Sequence, residues 1–234
     1  MVAYTKSTAD LVRESGFPPD RITIVQNAID TEELGSALRG VTQAELSRLR
    51  AHLSLPNDHV AMYCGGMYAG KQLEFLIEAC QIIRKRISDF HVIFIGNGPE
   101  QGKIERAAQE HDWIHYVGQK FGLDRAVYFR ASRALLMPGL VGLAIVDSFV
   151  AGTPLFTTDL QAHSPEISYL EHGTNGVMTP FTVNHYGDAV AQFFESEEMQ
   201  TRLREGCQRS ADVYTFEHFV ERFASGIINC LGAK

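Results

Sequence analysis

Five short apolar stretches in the middle of the chain constrain its fold more than any other feature. Between them lie segments with helical periodicity, the first of which places Leu73, Leu76, Cys80 and Ile83 on one face. Strands that are apolar on both sides occur in parallel sheets covered by helices on both faces. The five stretches are residues 60–64, 91–95, 114–117, 134–137 and 155–157. The sequence therefore predicts an α/β fold with a parallel sheet between helices.

The pattern divides the chain into three parts. Residues 1–58 hold a candidate strand at 22–25 and a polar helix at about 42–53, where Thr42 and Glu45 have the spacing of a capping box. Residues 59–215 carry the alternating strands and helices, and residues 216–234 read as a C-terminal helix. Within the middle part we expect helices at 71–87, from Pro99 to about 111, and at 123–132, 184–194 and 197–210.

Composition narrows the class of protein. The chain of 234 residues has a formal net charge of −7, which argues against a general nucleic-acid binder. Its four cysteines show no spacing typical of metal ligands, which indicates reduced, mostly buried thiols and a cytoplasmic protein. We find no apolar segment typical of a signal peptide and no run long enough to span a bilayer.

Glycines follow four of the predicted strands. They stand in the segments Gly65-Gly66, Gly96-Asn97-Gly98, Gly118 and Gly139 to Gly142. In an open parallel sheet, ligands bind beyond the carboxyl ends of the strands, where glycine lets a ligand approach the backbone. Each loop alone is also explained as a tight turn, and Gly96-Asn97-Gly98 does not continue into the dinucleotide fingerprint. The set together predicts one ligand cleft.

The segment 138–154 indicates what that cleft binds. A glycine-rich entry precedes an apolar helix, whose unpaired N–H groups at Gly142, Leu143 and Ala144 are suited to an anion. Asp147 lies about one turn into that helix, within reach of ligand hydroxyls. Lys71, a few residues after Gly66, can reach a phosphate, although a solvated lysine explains it as well. We expect a site for a diphosphate with sugar hydroxyls attached.

Two other chemistries are disfavoured. His163, Ser164 and Glu166 lack the surroundings of a hydrolase nucleophile, and Ser164 before Pro165 is more typical of a helix N-cap. His111 and His115 have the spacing of helical metal ligands, but a predicted helix ends at the first and a strand holds the second. We therefore predict no metal site.

Several segments resemble a known family in the same order along the chain. They are 22–31, the run from Gly65 to Ala79, 92–100, 116–118, 151–154 and 171–180. These segments resemble the C-terminal, donor-binding half of retaining glycosyltransferases of the GT-B fold, of the glycosyl transferases group 1 (family four) type. The resemblance implies one Rossmann-like half of that fold, a hexosyltransferase activity and a nucleoside-diphosphate sugar as donor, with no further cofactor.

The resemblance also assigns roles. It implies that Lys71 and Asp147 are the catalytic residues and that the donor contacts the strand-end loops. Those contacts would come from Gly65, Gly66, Gly96, Asn97, Gly118, Gly139, Leu140, Gly142, Leu143 and Ala144. Where the family carries the first of two glutamates, this chain has Gly139, and Asp147 stands at the second.

The family's acceptor domain precedes the part matched here, so we expect it to be absent from this chain. Turnover by this chain alone is then expected to be weak or nil, and the exposed interdomain face should favour self-association. Two alternatives stay open: a non-catalytic nucleotide- or partner-binding module, and a sugar-nucleotide epimerase of similar fold.

Overall fold

A six-stranded parallel sheet forms the centre of the computed structural model, which describes residues 1–56 and 58–232. Its strands are β3 (Val60–Cys64), β4 (His91–Ile95), β5 (Ile114–Tyr116), β6 (Ala134–Leu136), β7 (Leu155–Thr158) and β8 (Gly176–Thr179). The strand order is β5-β4-β3-β6-β7-β8. The order reverses between β3 and β6, which creates the switch point where open α/β sheets bind ligands. The predicted α/β class is confirmed.

Helices cover both faces of this sheet. They are α1 (Lys6–Glu14), α2 (Glu32–Gly40), α3 (Gln43–His52), α4 (Leu73–Arg86), α5 (Gln101–Glu110), α6 (Gly122–Ala131), α7 (Ala144–Ala151), α8 (Val183–Glu195), α9 (Glu197–Val213) and α10 (Phe216–Gly232). Helix α4 packs against α5 and α8, whereas α6 and α7 pack against α2. The strands are buried almost throughout, as their apolar runs predict.

The first 58 residues contribute to the same core. A small parallel sheet joins β1 (Val2–Ala3) to β2 (Thr23–Ile24), and α10 packs against β2. Leu34 and Leu38 of α2 and Leu49 of α3 lie in the hydrophobic core with the main sheet. The capping box of α3 is confirmed, because Glu45 N–H donates to Thr42 Oγ1 at 3.2 Å and Thr42 N–H donates to Glu45 Oε2 at 2.8 Å. The domain boundary between residues 58 and 59 stays a prediction.

Several predicted boundaries were wrong. Helix α5 begins at Gln101 rather than Pro99, and α4 begins at Leu73, so that Lys71 ends a 3-10 turn (Ala69–Lys71) before it. Sequence analysis also missed α1, α2 and β1. The C-terminal helix extends to Gly232, and residues 233–234 of its predicted range lie outside the described residues.

The prediction of reduced, mostly buried cysteines is confirmed in part. All four cysteines are free thiols; Cys80 and Cys207 are buried, Cys64 is partly buried and Cys230 is exposed. Among the described residues, no helix combines the length and apolarity that crossing a membrane requires.

A pair of stacked histidines should make the fold sensitive to acid. His91 Nδ1 lies 2.9 Å from His115 Nε2, and burial with the neighbouring His91 lowers the pKa of His115 to about 4. The folded state then binds fewer protons than the unfolded state, whose histidines titrate at about pH 6.5. Stability should therefore fall as pH falls from about 6.5 to about 4, by roughly 2 kcal/mol after allowance for partial exposure.

Urea unfolding at several pH values measures this effect. The variant His115→Gln should lose part of the acid sensitivity, because one of the two rings no longer takes up a proton on unfolding. The same acid dependence in the variant and the unmodified chain would contradict this explanation.

Candidate functional site

The strand-end glycines meet at one edge of the sheet. Gly65 N–H donates to Ile95 O at 3.0 Å, and Gly96 N–H donates to Gly118 O at 3.0 Å. A side chain at Gly96 would place its Cβ 1.9 Å from Gly65 O, and the φ of Gly96 is +140°. Only glycine fits there, because the two loops touch backbone to backbone. The loops after β3, β4 and β5 therefore form one continuous surface.

Lys71 lies against the loop that follows β6. Its side chain is buried, and its Nζ donates a hydrogen bond to Leu140 O. Leu140 N–H in turn donates to Gly70 O at 2.9 Å. Burial lowers the pKa of Lys71. The lysine is thus held between the strands where the sheet order reverses, rather than extending into solvent.

The entrance of α7 presents unpaired donors. In the described part of the chain, no protein group accepts a hydrogen bond from the N–H groups of Gly142, Leu143 or Ala144. Such groups at a helix N-terminus attract anions. The predicted amides are therefore available to a ligand, whereas both backbone polar groups of Leu140 are engaged within the protein.

Ser164 and His163, next to this entrance, each have a buried side-chain atom without a hydrogen-bond partner among the described residues. Ser164 Oγ lies 3.9 Å from the position that a Cβ on Gly142 would take. His163 Nε2 lies 2.8 Å from Thr158 O and must donate to it, so neutral His163 has a free acceptor at Nδ1, which is also buried and unpartnered. Burial lowers the pKa of His163, and the charge of Lys71 acts in the same direction. Buried polar atoms without partners are rare, which makes these two atoms candidate ligand contacts.

The sequence did not indicate a ligand-binding role for His163 and Ser164. It disfavoured a hydrolase triad that includes them and predicted a helix N-cap at Ser164. Ser164 does stand at the N-cap of a 3-10 segment, Pro165–Tyr169, but its hydroxyl makes no capping hydrogen bond. The signal that could have identified both residues is their place directly after the end of β7 at the ligand-binding edge.

Asp147 has a partner that the sequence did not reveal. Arg125 of α6 contacts its carboxylate twice, at 3.0 and 3.4 Å. Burial raises the pKa of Asp147, and the Arg125 guanidinium opposes that rise. Burial also raises the pKa of the adjacent Cys64 thiol to about 11. The carboxylate keeps acceptor capacity for a ligand hydroxyl, because each oxygen can accept more than one hydrogen bond.

Gly139 lies directly on the turn that carries Lys71. A Cβ at this position would come within 2.2 Å of Gly70 O and 2.7 Å of Lys71 Cα. This contact gives a steric reason for glycine where the resembling family has glutamate. Gly139 is buried and therefore shapes the site through its backbone.

The candidate metal ligands are separated. His111 stacks on Trp113, whereas His115 stacks on His91. Within the described ranges, no group of three or more His, Cys, Asp or Glu side chains is placed to hold a metal ion.

Comparison with known proteins adds independent findings. Residues 58–196 match the family model described as glycosyl transferases group 1. The chain is 23% identical over 171 residues to alpha-D-kanosaminyltransferase of Streptomyces kanamyceticus, covering 70% of this chain and 44% of that protein. It is 25% identical over 193 residues to a GDP-mannose-dependent alpha-(1-6)-phosphatidylinositol dimannoside mannosyltransferase of Mycobacterium tuberculosis, covering 80% and 47%. The chain therefore spans about half the length of these curated relatives.

Solved structures share the fold at lower sequence identity. Anabaena HepE in complex with UDP superposes with a TM-score of 0.77 at 14% identity, over 97% of this chain and 62% of that one. The C-terminal domain of the group 1 family protein LpcC from Francisella tularensis has a TM-score of 0.64 at 15% identity. That match covers 81% of this chain and the whole of the solved domain. The sheet topology and the family model agree, and the chain belongs to the glycosyl transferases group 1 family.

Proposed function

We propose that this chain is the donor-binding half of a retaining glycosyltransferase and binds the diphosphate of a nucleoside-diphosphate sugar. The observation that carries the proposal is a set of unpartnered polar atoms near Lys71. Within the described residues, three backbone amides and two buried side-chain atoms at the ligand-binding edge of the sheet have no hydrogen-bond partner. Their chemistry suits phosphate oxygens and hydroxyls.

In this proposal, the catalytic contribution is electrostatic. When the glycosidic bond to the donor breaks, negative charge develops on the departing diphosphate. Lys71 and the amides at Gly142, Leu143 and Ala144 would stabilise that charge, and such fixed donors lower the barrier. Asp147 would accept hydrogen bonds from the ribose, while Gly118 and the end of β5 would adjoin the base.

Sugar recognition must differ from the pattern that the family resemblance implies. Gly139 offers no carboxylate, so another acceptor is needed for the sugar hydroxyls. His163 Nδ1 is buried and has no hydrogen-bond partner among the described residues. Burial and the charge of Lys71 lower the pKa of His163, which keeps the ring neutral near pH 7. We assign it as an acceptor for a donor hydroxyl.

Calorimetric titration with UDP and GDP tests the proposal. The name of the Mycobacterium tuberculosis relative mentions GDP-mannose, and the Anabaena structure holds UDP. Lys71→Ala should weaken binding by about tenfold to a hundredfold, since it removes a charge-assisted contact. Asp147→Ala should weaken binding of UDP more than binding of inorganic pyrophosphate, because only UDP carries a ribose.

Lys85→Ala is the matched control, since Lys85 is exposed in the last turn of α4, at the end of that helix far from Lys71. The affinity of this variant should equal that of the unmodified chain. Equal affinities for Lys71→Ala, Asp147→Ala and Lys85→Ala would refute the assignment.

A second candidate is a nucleotide- or partner-binding module without turnover of its own. It is favoured by the apolar face that α10 exposes, which includes Phe216, Val220, Phe223, Ile227, Ile228 and Leu231. An acceptor domain would cover such a face in a complete enzyme, and in this chain we expect it to drive self-association. Sustained sugar transfer or donor hydrolysis by this chain alone would reject the non-catalytic alternative.

Self-association is measurable by sedimentation over a range of concentrations. The double variant Ile228→Lys with Leu231→Lys should sediment as a monomer at concentrations where the unmodified chain forms larger species, because the charges interrupt the apolar face. Identical sedimentation of both chains would show that α10 does not mediate association.

A further inference from the structure

A cluster of arginines lies at the amino-terminal ends of the strands, opposite the donor cleft. A cavity of about 550 Å³ is bordered by residues that precede β3, β6 and β7 and by parts of α2, α3, α6 and α9. Its volume falls within the range of small-molecule sites. Five arginines line it: Arg39, Arg50, Arg130, Arg133 and Arg204.

The charge of this cavity is only partly compensated. Arg50 and Arg133 both pair with Asp58, and Arg39 pairs with Glu32 at 2.8 Å. In the described part of the chain, no carboxylate lies within ion-pair distance of Arg130 or Arg204, although the Arg130 guanidinium donates to Leu38 O at 3.3 Å. Among the described residues, two of the five guanidinium groups thus have no carboxylate partner, in a protein whose net charge is −7.

Stabilisation of helix ends does not account for the whole cluster. Arg39, Arg50 and Arg130 lie in the last turns of α2, α3 and α6, where a cation interacts favourably with the helix dipole. Arg204 comes from the middle of α9 but packs on Gly152 at the end of α7, so it can also stabilise a helix end. Arg133 precedes β6 and is not explained in this way. Helix dipoles also do not explain why all five guanidinium groups border one cavity.

A buried hydroxyl supports a ligand at this place. Ser132 lines the cavity and is only 6% exposed, and its Oγ has no hydrogen-bond partner in the part of the chain that the structure describes. A phosphate oxygen would satisfy a hydroxyl donor, and guanidinium groups bind phosphate in a forked geometry.

We propose that this arginine cavity binds a compact, soluble polyanion carrying two or more phosphoryl groups. The cavity is recessed between elements, which suits a small molecule better than the surface of a membrane. The proposal is independent of the donor cleft, because no residue assigned to that cleft lines the cavity.

Calorimetric titration of the 234-residue chain with inorganic triphosphate tests this inference. Lys71→Ala serves as the background, so that binding in the donor cleft is weakened. At low ionic strength, the further double change Arg130→Gln with Arg204→Gln should reduce affinity about tenfold or more. Both arginines are exposed, and a thermal melt of the variant checks that the fold is kept.

The control removes the same charge elsewhere. In the same background, Arg106→Gln with Arg209→Gln changes two exposed arginines outside the cavity and should leave the affinity within about twofold. An equal loss of affinity in both double variants would show that net charge alone causes the effect, and this would overturn the proposal.

Two further results would also overturn it. One is saturable triphosphate binding in the unmodified chain that Lys71→Ala abolishes and the arginine changes leave intact, which would place all binding in the donor cleft. The other is arginine-dependent sedimentation with phosphatidylglycerol vesicles without triphosphate binding, which would make the cavity a membrane contact.

Discussion

Replacing Arg125 by methionine should destabilise the fold by about 3 kcal/mol at neutral pH. Methionine preserves much of the apolar stem but leaves the Asp147 carboxylate buried without its cationic partner, and removal of one member of a buried pair typically costs this much. Asp147 is only 8% exposed, and Arg125 contacts both of its oxygens. Urea unfolding of the two chains measures the difference.

The pH dependence of that loss identifies its cause. Burial raises the pKa of Asp147 in the folded protein, so folding favours its protonated form and stability is lost as the carboxyl ionises with rising pH. Without Arg125 the pKa rises further. The destabilisation should therefore be smallest near about pH 4 and largest at neutral pH. A loss of stability that stays constant across this pH range would show that packing, and not the buried charge, causes it.

An exposed ion pair provides the comparison. Arg209 and Glu205 lie 4.0 Å apart on α9, and their side chains are 64% and 61% exposed. Arg209→Met should change stability by no more than about 0.5 kcal/mol, because surface pairs are screened by solvent. Donor binding should also weaken in Arg125→Met but not in Arg209→Met, since Asp147 would lose its fixed position.

The apolar strands were predictable because burial on both faces leaves a direct mark on the sequence. Residues 60–64 and 91–95 were located without error, because β3 and β4 are inner strands that are paired on both sides. Helix α2 was missed, since Gly35 and Gly40 lower its intrinsic preference for helix. Packing of Leu34 and Leu38 into the core against α6 and α7 compensates for that preference.

The candidate site also contains residues that the sequence could predict and residues that it could not. Glycines, Lys71 and the entrance of α7 follow strand ends, and a parallel sheet brings strand ends together, so their proximity could be predicted. Arg125 could not be identified, because it reaches Asp147 from the side of a helix whose rotation depends on tertiary packing. Ser164 and His163 became candidates only once their missing hydrogen-bond partners were known.

Close packing at Gly139 holds Lys71 in its position in the candidate site. Its backbone lies on Gly70 and Lys71, and two hydrogen bonds between this turn and Leu140 hold Lys71 in place. Any side chain at Gly139 would separate the two segments. In the proposed function, Gly139 would therefore fix the lysine, and the donor hydroxyls would be recognised by other residues.

Introducing the family's glutamate by Gly139→Glu should accordingly impair the protein instead of improving it. The clash occurs at the Cβ, so Gly139→Ala should cost nearly the same, about 3 kcal/mol or more, because the atoms it meets are backbone. Gly40→Ala is the control, since a Cβ at Gly40 meets nothing within 4 Å and alanine favours the helix. Thermal and urea unfolding measure all three variants, and calorimetry with UDP should show weaker binding for both Gly139 variants. A neutral Gly139→Ala variant, together with tighter sugar-nucleotide binding by Gly139→Glu, would contradict this explanation. These results would show that the loop moves aside readily and that Gly139 replaces a sugar-binding side chain instead of supporting Lys71.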